Sequence, residues 1–330
     1  MSITQARIAN ALRAAGWGGA EAAPLAGDAS RRRYFRVRQG SKSAMLMDAP
    51  PTYCEDIQPF LDIGAHLRAL GLSAPEIYYA SRTDGLILME DFGDGLYANL
   101  LADDRTHEAL YYDAAVDVLV DIQTAETNLS LPEYGPPVLA QTGASAYSWY
   151  AKYSGAADQS AEFIAAFDKA YGALGDFQKS MTLRDFHAEN LLWLRERDAG
   201  KRVGLLDFQD AALCHPVYDL VSLGTDGRRD VSPEIFARAI QRYADKTQTT
   251  PEALSYAIAV FSVQRNMRIL GLFVRLAVRD GKPNYLGHIP RVWRYLTTSL
   301  QHPQLSEMRE LILGNFQEPT PALIAKFASS

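Results

Sequence analysis

The residues LRDFHAEN at positions 183–190 and LLDF at positions 205–208 carry the strongest signal in the chain. Asn190 follows Asp185 by five positions, and Asp207 lies seventeen positions further on, at the end of an apolar run. Magnesium prefers carboxylate and amide oxygens, and a further carboxylate can accept or orient a hydroxyl proton. Each residue alone is more often a turn cap or a strand end. Together they predict metal-assisted phosphoryl transfer, with Asp185 as the base and Asn190 and Asp207 as metal ligands.

These residues resemble the Asp-x-His-x-x-Asn loop and the second metal-binding Asp of the aminoglycoside phosphotransferase and choline kinase family. Downstream, HPVYDL at 215–220 resembles the family's Pro-x-x-Asp-Leu segment, whose Asp usually supports the catalytic loop. The resemblance extends from about residue 25 to about residue 300 and departs from the family at Leu183, where His is common. It implies an α+β fold of the bilobal protein-kinase-like class, with a small antiparallel-sheet N-lobe and a larger, mainly helical C-lobe.

Apolar periodicity also changes near residue 92. Period-two alternation and turn residues predict strands at 34–38, 44–47, 76–79 and 86–90. Repeats of three and four predict helices at 8–15, 55–70, 106–124 and 161–174. Further helices are predicted to begin near Pro216, Pro233, Pro251 and Pro290. Short apolar runs at 181–183, 191–194 and 203–206 indicate buried strands or strand-like loops. We therefore predict a nucleotide-binding lobe at residues 1–91 and a catalytic, substrate-binding lobe at residues 92–330.

Composition narrows the class of partner. The 330 residues include 33 Lys and Arg against 39 Asp and Glu, a net charge of −6, which argues against a broad nucleic-acid or membrane surface. Two cysteines, Cys54 and Cys214, are too few for a disulfide framework. Neither a secretory signal nor a membrane-spanning run is visible. We expect a cytoplasmic protein, monomeric, with a small-molecule substrate.

The family resemblance indicates which residues are expected to bind the nucleotide. Residues 27–35 lie where the phosphate-covering loop is expected, with Ser30, Arg31 and Arg33 as donors, although a solvated basic turn has the same composition. Glu90 and Phe92 lie where the family's backbone holds adenine, although they can also simply end a strand. The implied cofactors are ATP and Mg²⁺.

One position departs from this pattern. The family usually carries a lysine on the third strand to hold the nucleotide phosphates, and Met47 occupies that region here. Either an arginine of the 31–36 segment substitutes, or the phosphates are held by metal and backbone alone.

Five short segments narrow the resemblance to bacterial anomeric kinases of N-acetylmuramate and N-acetylglucosamine. They are DAS at 28–30, RYFR at 33–36, MDAPP at 47–51, DFQDA at 207–211 and RRD at 228–230. The resemblance implies phosphorylation of the C1 hydroxyl in peptidoglycan recycling.

Candidate sugar contacts are polar residues downstream of the motifs. They are Asp185, His187, Gln209, Asp210, Asp226, Arg228 and Arg229, with Tyr147, Trp149 and Tyr150 as possible walls. Some of them have a plainer role as well. His187 can be a structural histidine that positions the loop, the arginines can form surface ion pairs with Asp226 or Asp230, and the aromatic residues can pack a helix. The arginines at 265, 268 and 275 lie on a predicted lobe-packing helix and face either solvent or the cleft.

Two other functions remain open. A related kinase could act on an aminoglycoside, choline or another small alcohol, although the arginines at 228 and 229 disfavour a cationic substrate. Alternatively, the missing lysine suits a nucleotide-binding pseudokinase that scaffolds a partner, against which stand the intact Asp185, Asn190 and Asp207.

Overall fold

The computed structural model describes residues 3–25 and 31–330, and packing contacts divide it into two compact units. The first unit comprises Met1–Leu100, Thr127–Leu129 and Glu189–Asp210. The second comprises Leu101–Glu126, Ser130–Ala188 and Ala211–Ser330. The segment that carries Asn190 and Asp207 thus packs with the N-terminal hundred residues. A domain boundary at residue 92 stays a prediction.

Within the described residues, the strands are β1 (Glu21–Pro24), β2 (Arg33–Gln39), β3 (Lys42–Asp48), β4 (Ile77–Ser81), β5 (Leu86–Glu90), β6 (Ser180–Thr182), β7 (Leu191–Trp193), β8 (Val203–Leu205) and β9 (Ala212–Cys214). The helices are α1 (Ile3–Ala14), α2 (Gln58–Ala69), α3 (Tyr97–Asp103), α4 (Glu108–Thr124), α5 (Pro136–Ala146), α6 (Lys152–Ser154), α7 (Ser160–Gly172), α8 (Val217–Gly224), α9 (Pro233–Lys246), α10 (Pro251–Val278), α11 (Ile289–Ser299), α12 (Ser306–Asn315) and α13 (Pro321–Ala328). A π-helical segment, Tyr147–Ala151, continues α5.

The first unit is built on an antiparallel sheet with the strand order β1-β2-β3-β5-β4. The predicted strands at 34–38 and 44–47 form its central hairpin, in which Tyr34 lies opposite Met47 and Arg33 opposite Asp48. β1 was not predicted, because its four residues are all exposed and show no apolar alternation. One face packs against α1 in a cluster that includes Ile8, Ala11, Leu12, Val37, Leu46 and Leu88.

Helix α2 anchors the residue that follows Asp207. The ring of Phe60 stacks on Phe208 with centroids 4.7 Å apart, and both side chains are buried. Gly64, one turn further along α2, lets the same ring approach closely, since a Cβ there would lie 3.2 Å from Phe208. Burial of a phenylalanine contributes about 2–3 kcal/mol, so this contact fixes the backbone beside Asp207.

The short β7–β8 ladder positions the two predicted metal ligands. Leu191 pairs with Leu205, and beyond this pair the Leu206 N–H donates to the Asn190 carbonyl at 3.0 Å. Asn190 and Asp207 therefore leave the same end of the ladder. The predicted strands at 191–194 and 203–206 are confirmed.

Helix α10 is the centre of the second unit. It packs against α5, α8 and α11, and its buried residues include Val260, Phe261, Val263, Leu270 and Val274. Its 28 residues are long and apolar enough to cross a membrane by length and composition, but most of them are buried inside this unit, as in the core helix of a globular protein. The helices predicted near Pro216, Pro233, Pro251 and Pro290 are confirmed.

Candidate active site

The catalytic loop is braced by a buried carboxylate. Asp219, on α8, accepts hydrogen bonds from the backbone N–H groups of Leu183, at 2.6 Å, and Arg184, at 2.8 Å. Arg184 has a φ of 70°, a left-handed conformation that these bonds help to hold. Complete burial raises the pKa of Asp219 to about 7, although the two N–H groups oppose the shift. The predicted support of the loop by this Asp is confirmed.

Asp185 faces two arginines of α10. The Asp185 carboxylate lies 3.7 Å from Arg268 and 3.9 Å from Arg265. Burial opposes ionisation of Asp185, but these two positive charges outweigh it and lower its pKa to about 2. Asp185 is therefore an anion at neutral pH, suited to accepting a hydrogen bond from an alcohol and orienting it.

The two arginines are themselves held in place. Arg265 is 3% exposed and donates to the Arg184 carbonyl at 3.0 Å. Arg268 donates to the Tyr218 hydroxyl at 3.2 Å. The sequence shows these residues three positions apart on an apolar helix, but it does not show which way they point. In the structure, both guanidinium groups face Asp185 within the second unit.

His187 lies on the same loop, in the second unit. Its Nδ1 atom is buried and has no hydrogen-bond partner among the described residues. The alternative in which His187 positions the loop is therefore not supported through Nδ1, while contact with a substrate stays a prediction.

The residues around Asp207 suit a magnesium ion. Asp207 is exposed, and its φ of 54° turns the chain sharply after the β8 strand. Its Oδ1 accepts from Gln209 Nε2 at 2.8 Å, while the buried Oε1 of Gln209 lacks a partner among the described residues. No cluster of three or more His, Cys, Asp or Glu side chains suited to a metal occurs in the described part of the chain. A set of one carboxylate and one amide fits Mg²⁺, which retains waters and phosphate oxygens among its ligands.

A cavity of about 390 Å³ lies beside Asp207 within the first unit. Its lining is charged and polar: Arg31, Arg32, Tyr53, Cys54, Glu55, Asp207, Gln209 and Asp210. The predicted residues Arg31, Gln209 and Asp210 are thereby brought together with Asp207. Arg32, which was not among the predicted donors, joins them.

The other predicted phosphate donors differ in position. Ser30 lies outside the described residues. Arg33 pairs with the buried carboxylate of Asp48, which also pairs with Arg7. Met47 is buried and contacts the Tyr34 hydroxyl through its sulfur at 3.5 Å. Nucleotide binding by Arg33 and Met47 stays a prediction, and the ion pair with Asp48 disfavours it for Arg33.

Glu90 and Phe92 line a second cavity of the first unit, of about 470 Å³. The Glu90 N–H donates to the Glu76 carbonyl at 2.8 Å, and its carboxylate pairs with Arg197. The same guanidinium lies 5.0 Å from the centre of the Phe92 ring. An adenine contact by these residues stays a prediction, and the Glu90 N–H already has a partner.

The predicted sugar contacts near residue 228 are largely enclosed. Asp226 is 1% exposed and accepts from the Arg228 N–H at 2.8 Å, so a sugar contact by Asp226 stays a prediction that its burial disfavours. Arg228 lies 5.6 Å from the Tyr285 ring. Arg229 pairs with Glu108 in the interior, which corrects the expectation of a surface ion pair with Asp226 or Asp230. The Asp230 carboxylate pairs with Arg294.

The aromatic residues at 147–150 are packing residues. Tyr147 and Tyr150 are buried in the helical core, and Tyr150 donates to the Gln317 carbonyl at 2.7 Å. Trp149 stacks on Tyr153 with centroids 6.1 Å apart. Of the two alternatives, helix packing is the one that the structure supports.

The family model of the phosphotransferase enzyme family matches residues 21–255, more than two thirds of the chain. The chain belongs to this phosphotransferase family. It is 36% identical to a Caulobacter vibrioides protein named N-acetylmuramate/N-acetylglucosamine kinase, over 93% of this chain and 95% of the relative. A Pseudomonas aeruginosa protein of the same name is 32% identical over 91% of this chain and 90% of its own length.

The phosphotransferase also resembles solved structures. A choline/ethanolamine kinase family protein from Mesorhizobium loti superposes with a TM-score of 0.64 at 12% identity, covering 100% of both chains. At this identity the likeness shows the fold alone. The predicted α+β, protein-kinase-like fold is confirmed, as are the family and the enzyme class.

The sequence alone does not assign the arginines described above. Arg265 and Arg268 carry one usable signal, because charged residues on an otherwise buried helix are uncommon. Arg32 belongs to the 31–36 segment in which a substitute for the missing lysine is expected, but the sequence does not distinguish it from Arg31 and Arg33.

Proposed function

We propose that this phosphotransferase transfers the γ-phosphoryl group of ATP to the anomeric C1 hydroxyl of N-acetylmuramate or N-acetylglucosamine. The observation that carries this acceptor is the 36% identity to the Caulobacter vibrioides relative over 93% of the chain. On this proposal the protein is a cytoplasmic monomer that acts in peptidoglycan recycling, with ATP and Mg²⁺ as cofactors.

On this proposal, Asp185 binds and orients the acceptor hydroxyl. The oxygen of that hydroxyl forms a bond to the γ-phosphorus, the bond from the γ-phosphorus to the β,γ-bridging oxygen breaks, and ADP leaves with the bond electrons. The hydroxyl proton is held by Asp185 during the transfer and passes to solvent. Because Arg265 and Arg268 keep the carboxylate ionised, orientation of the nucleophile is its main contribution, which suits a transition state with little bond formation.

On this proposal, Asn190 and Asp207 are the protein ligands of the magnesium ion. When bound, Mg²⁺ neutralises charge on the nucleotide phosphates. The Gln209 amide, 2.8 Å from Asp207 Oδ1, holds that carboxylate in one orientation. His187, Gln209, Asp210 and Arg228 remain the proposed sugar contacts.

The positive charge beside Asp185 favours some phosphoryl acceptors over others. Two guanidinium groups within 4 Å of the carboxylate disfavour a polycationic aminoglycoside and favour a neutral or anionic sugar. A pseudokinase scaffold would not require an ionised carboxylate on a loop braced by Asp219.

The test is ATP consumption with a panel of N-acetylmuramate, N-acetylglucosamine, aminoglycosides and choline, followed by ³¹P NMR of the product. A sugar 1-phosphate is the expected result. Turnover only with cationic alcohols would overturn the acceptor, and bound ATP without turnover on any acceptor would favour the scaffold.

A further inference from the structure

We propose that Arg32 supplies the cation that the third strand of the sheet lacks, and that it holds the phosphate oxygens of the nucleotide. The inference rests on the proposed function for its nucleotide, and it assigns a residue that the family pattern does not. A lysine is usual on β3, and the corresponding region here carries Met47.

The sheet register brings Arg32 toward the position of the missing lysine. Met47 lies opposite Tyr34 in the β2–β3 hairpin, and the two side chains touch. Arg32 lies immediately before β2, and its side chain hydrogen-bonds with the Tyr34 phenol, which contacts Met47. Arg33 points to the other face, where it meets Asp48. The positive charge is therefore displaced from β3 to the start of the neighbouring strand.

The charges around Arg32 are those of a phosphate-binding position. Its guanidinium forms ion pairs with Asp207 and with Glu55, each at 3.8 Å, and both carboxylates line the same cavity. Burial and the Asp207 charge raise the pKa of the Tyr34 phenol, while Arg32 opposes them, which places all three groups together. Asp207 is the carboxylate assigned to the metal that neutralises the phosphates, so a cation beside it faces the same anionic group.

Other arginines of the segment are less suited to this role. Arg32 is also paired, but both of its carboxylate partners, Asp207 and Glu55, line the cavity of about 390 Å³. In contrast, Arg33 pairs with the buried Asp48, and Arg36 pairs with Asp91 at 2.9 Å and with Asp94 at 2.8 Å. Arg31 lines the same cavity but is exposed, whereas the Arg32 side chain is only 11% exposed. A sheltered guanidinium loses less rotamer freedom on binding and is less screened by solvent.

Binding of ATP and of adenosine separates phosphate recognition from the shape of the site. Calorimetry on the full-length wild type, Arg32→Gln and Arg32→Lys would measure both ligands in EDTA and again with Mg²⁺. We expect Arg32→Gln to weaken ATP binding about tenfold or more, as for a lost charge-assisted contact, and to change adenosine binding less than about twofold. Arg32→Lys should recover part of the ATP affinity. Arg38→Gln is the matched control, because it removes the same charge from an exposed position of β2.

Unchanged ATP affinity in Arg32→Gln would overturn the inference, and so would an equal loss for ATP and adenosine. The outcome is independent of the acceptor. If no sugar is phosphorylated but ATP binding depends on Arg32, the proposed function fails and this assignment stands. If a sugar 1-phosphate forms but Arg32→Gln binds ATP normally, the proposed function stands and the assignment of Arg32 fails.

Discussion

The guanidinium of Arg268 lies 3.7 Å from the carboxylate of Asp185, across from a loop whose backbone is held by Asp219. Arg268 is also bonded to Tyr218, and its own pKa is raised, since the attraction of Tyr218 and Asp185 outweighs its burial. Asp185 is thus ionised at neutral pH, and its ionisation depends on two cations of helix α10.

Replacement of Arg268 should change the pH dependence of turnover. In the wild type the pKa of Asp185 is about 2, so kcat should show no acidic limb from this group between pH 4 and 8. Arg268→Gln removes the nearest charge that lowers this pKa, so the pKa rises and activity is lost at a higher pH on the acid side. The measurement is kcat against pH, with Arg238→Gln as the control, because Arg238 pairs with Asp113 on α4. Superimposable profiles for Arg268→Gln and the wild type would contradict the assignment.

Asp185→Asn should abolish nearly all turnover while nucleotide affinity stays within about twofold, since an orienting group acts on the acceptor hydroxyl and general-base removal costs about 10²–10⁴ in rate. Single-turnover kinetics and ATP titration would be compared for the two proteins. Wild-type turnover in Asp185→Asn would show that another residue orients the hydroxyl.

The brace at Asp219 makes a separate prediction. Asn at this position retains one acceptor but turns an N–H₂ group toward the second backbone N–H, leaving Leu183 or Arg184 unsatisfied at a cost of about 1–3 kcal/mol. We expect Asp219→Asn to lower kcat about tenfold or more, with KM for ATP nearly unchanged, because the defect displaces the loop that carries Asp185. Steady-state kinetics and the melting temperature measure the two effects. A normal kcat with a lowered melting temperature would limit Asp219 to stability.

Asp207→Asn should raise the Mg²⁺ concentration needed for half-maximal turnover. The substitution keeps an oxygen atom but removes the negative charge that binds the cation. A Mg²⁺ titration at saturating ATP measures this. Asp62→Asn is the control, because Asp62 is exposed on α2 and its carboxylate accepts a hydrogen bond from Gln58. An unchanged titration curve would remove Asp207 from the metal site.

Sequence periodicity predicted most elements of this fold but not those without a pattern. The hairpin of β2 and β3 and the helices that begin at prolines follow from alternation and from Pro at the first turn. β1 was not predictable, because its side chains are exposed and give no alternating pattern. Only its backbone pairing with β2 makes it a strand.

Contacts between residues that are far apart in the sequence limit how much of the site can be predicted. The ion pair of Arg229 with Glu108 joins residues 121 positions apart, and no local rule predicts it. The motif around Asp185 and the supporting Asp219 were predictable because each lies in a short segment that resembles a family pattern. The arginines at 265 and 268 depend on how α10 rotates in the core, which the sequence leaves open.

A last prediction tests how tightly α10 packs. Gly271 lies in the middle of this helix, and a Cβ there would come within 2.9 Å of the backbone of Ser145 and Ala146. Ala is ordinarily favoured over Gly in a helix by about 1 kcal/mol, but here the neighbour is backbone and cannot move aside, so Gly271→Ala should destabilise the protein by about 1–3 kcal/mol. Gly172, at the exposed end of α7, has no atom within 4 Å of the same Cβ, and Gly172→Ala should be neutral or stabilising. Thermal unfolding of the two variants compares them directly. Equal melting temperatures would mean that α10 and α5 can separate without cost, contrary to the packing described above.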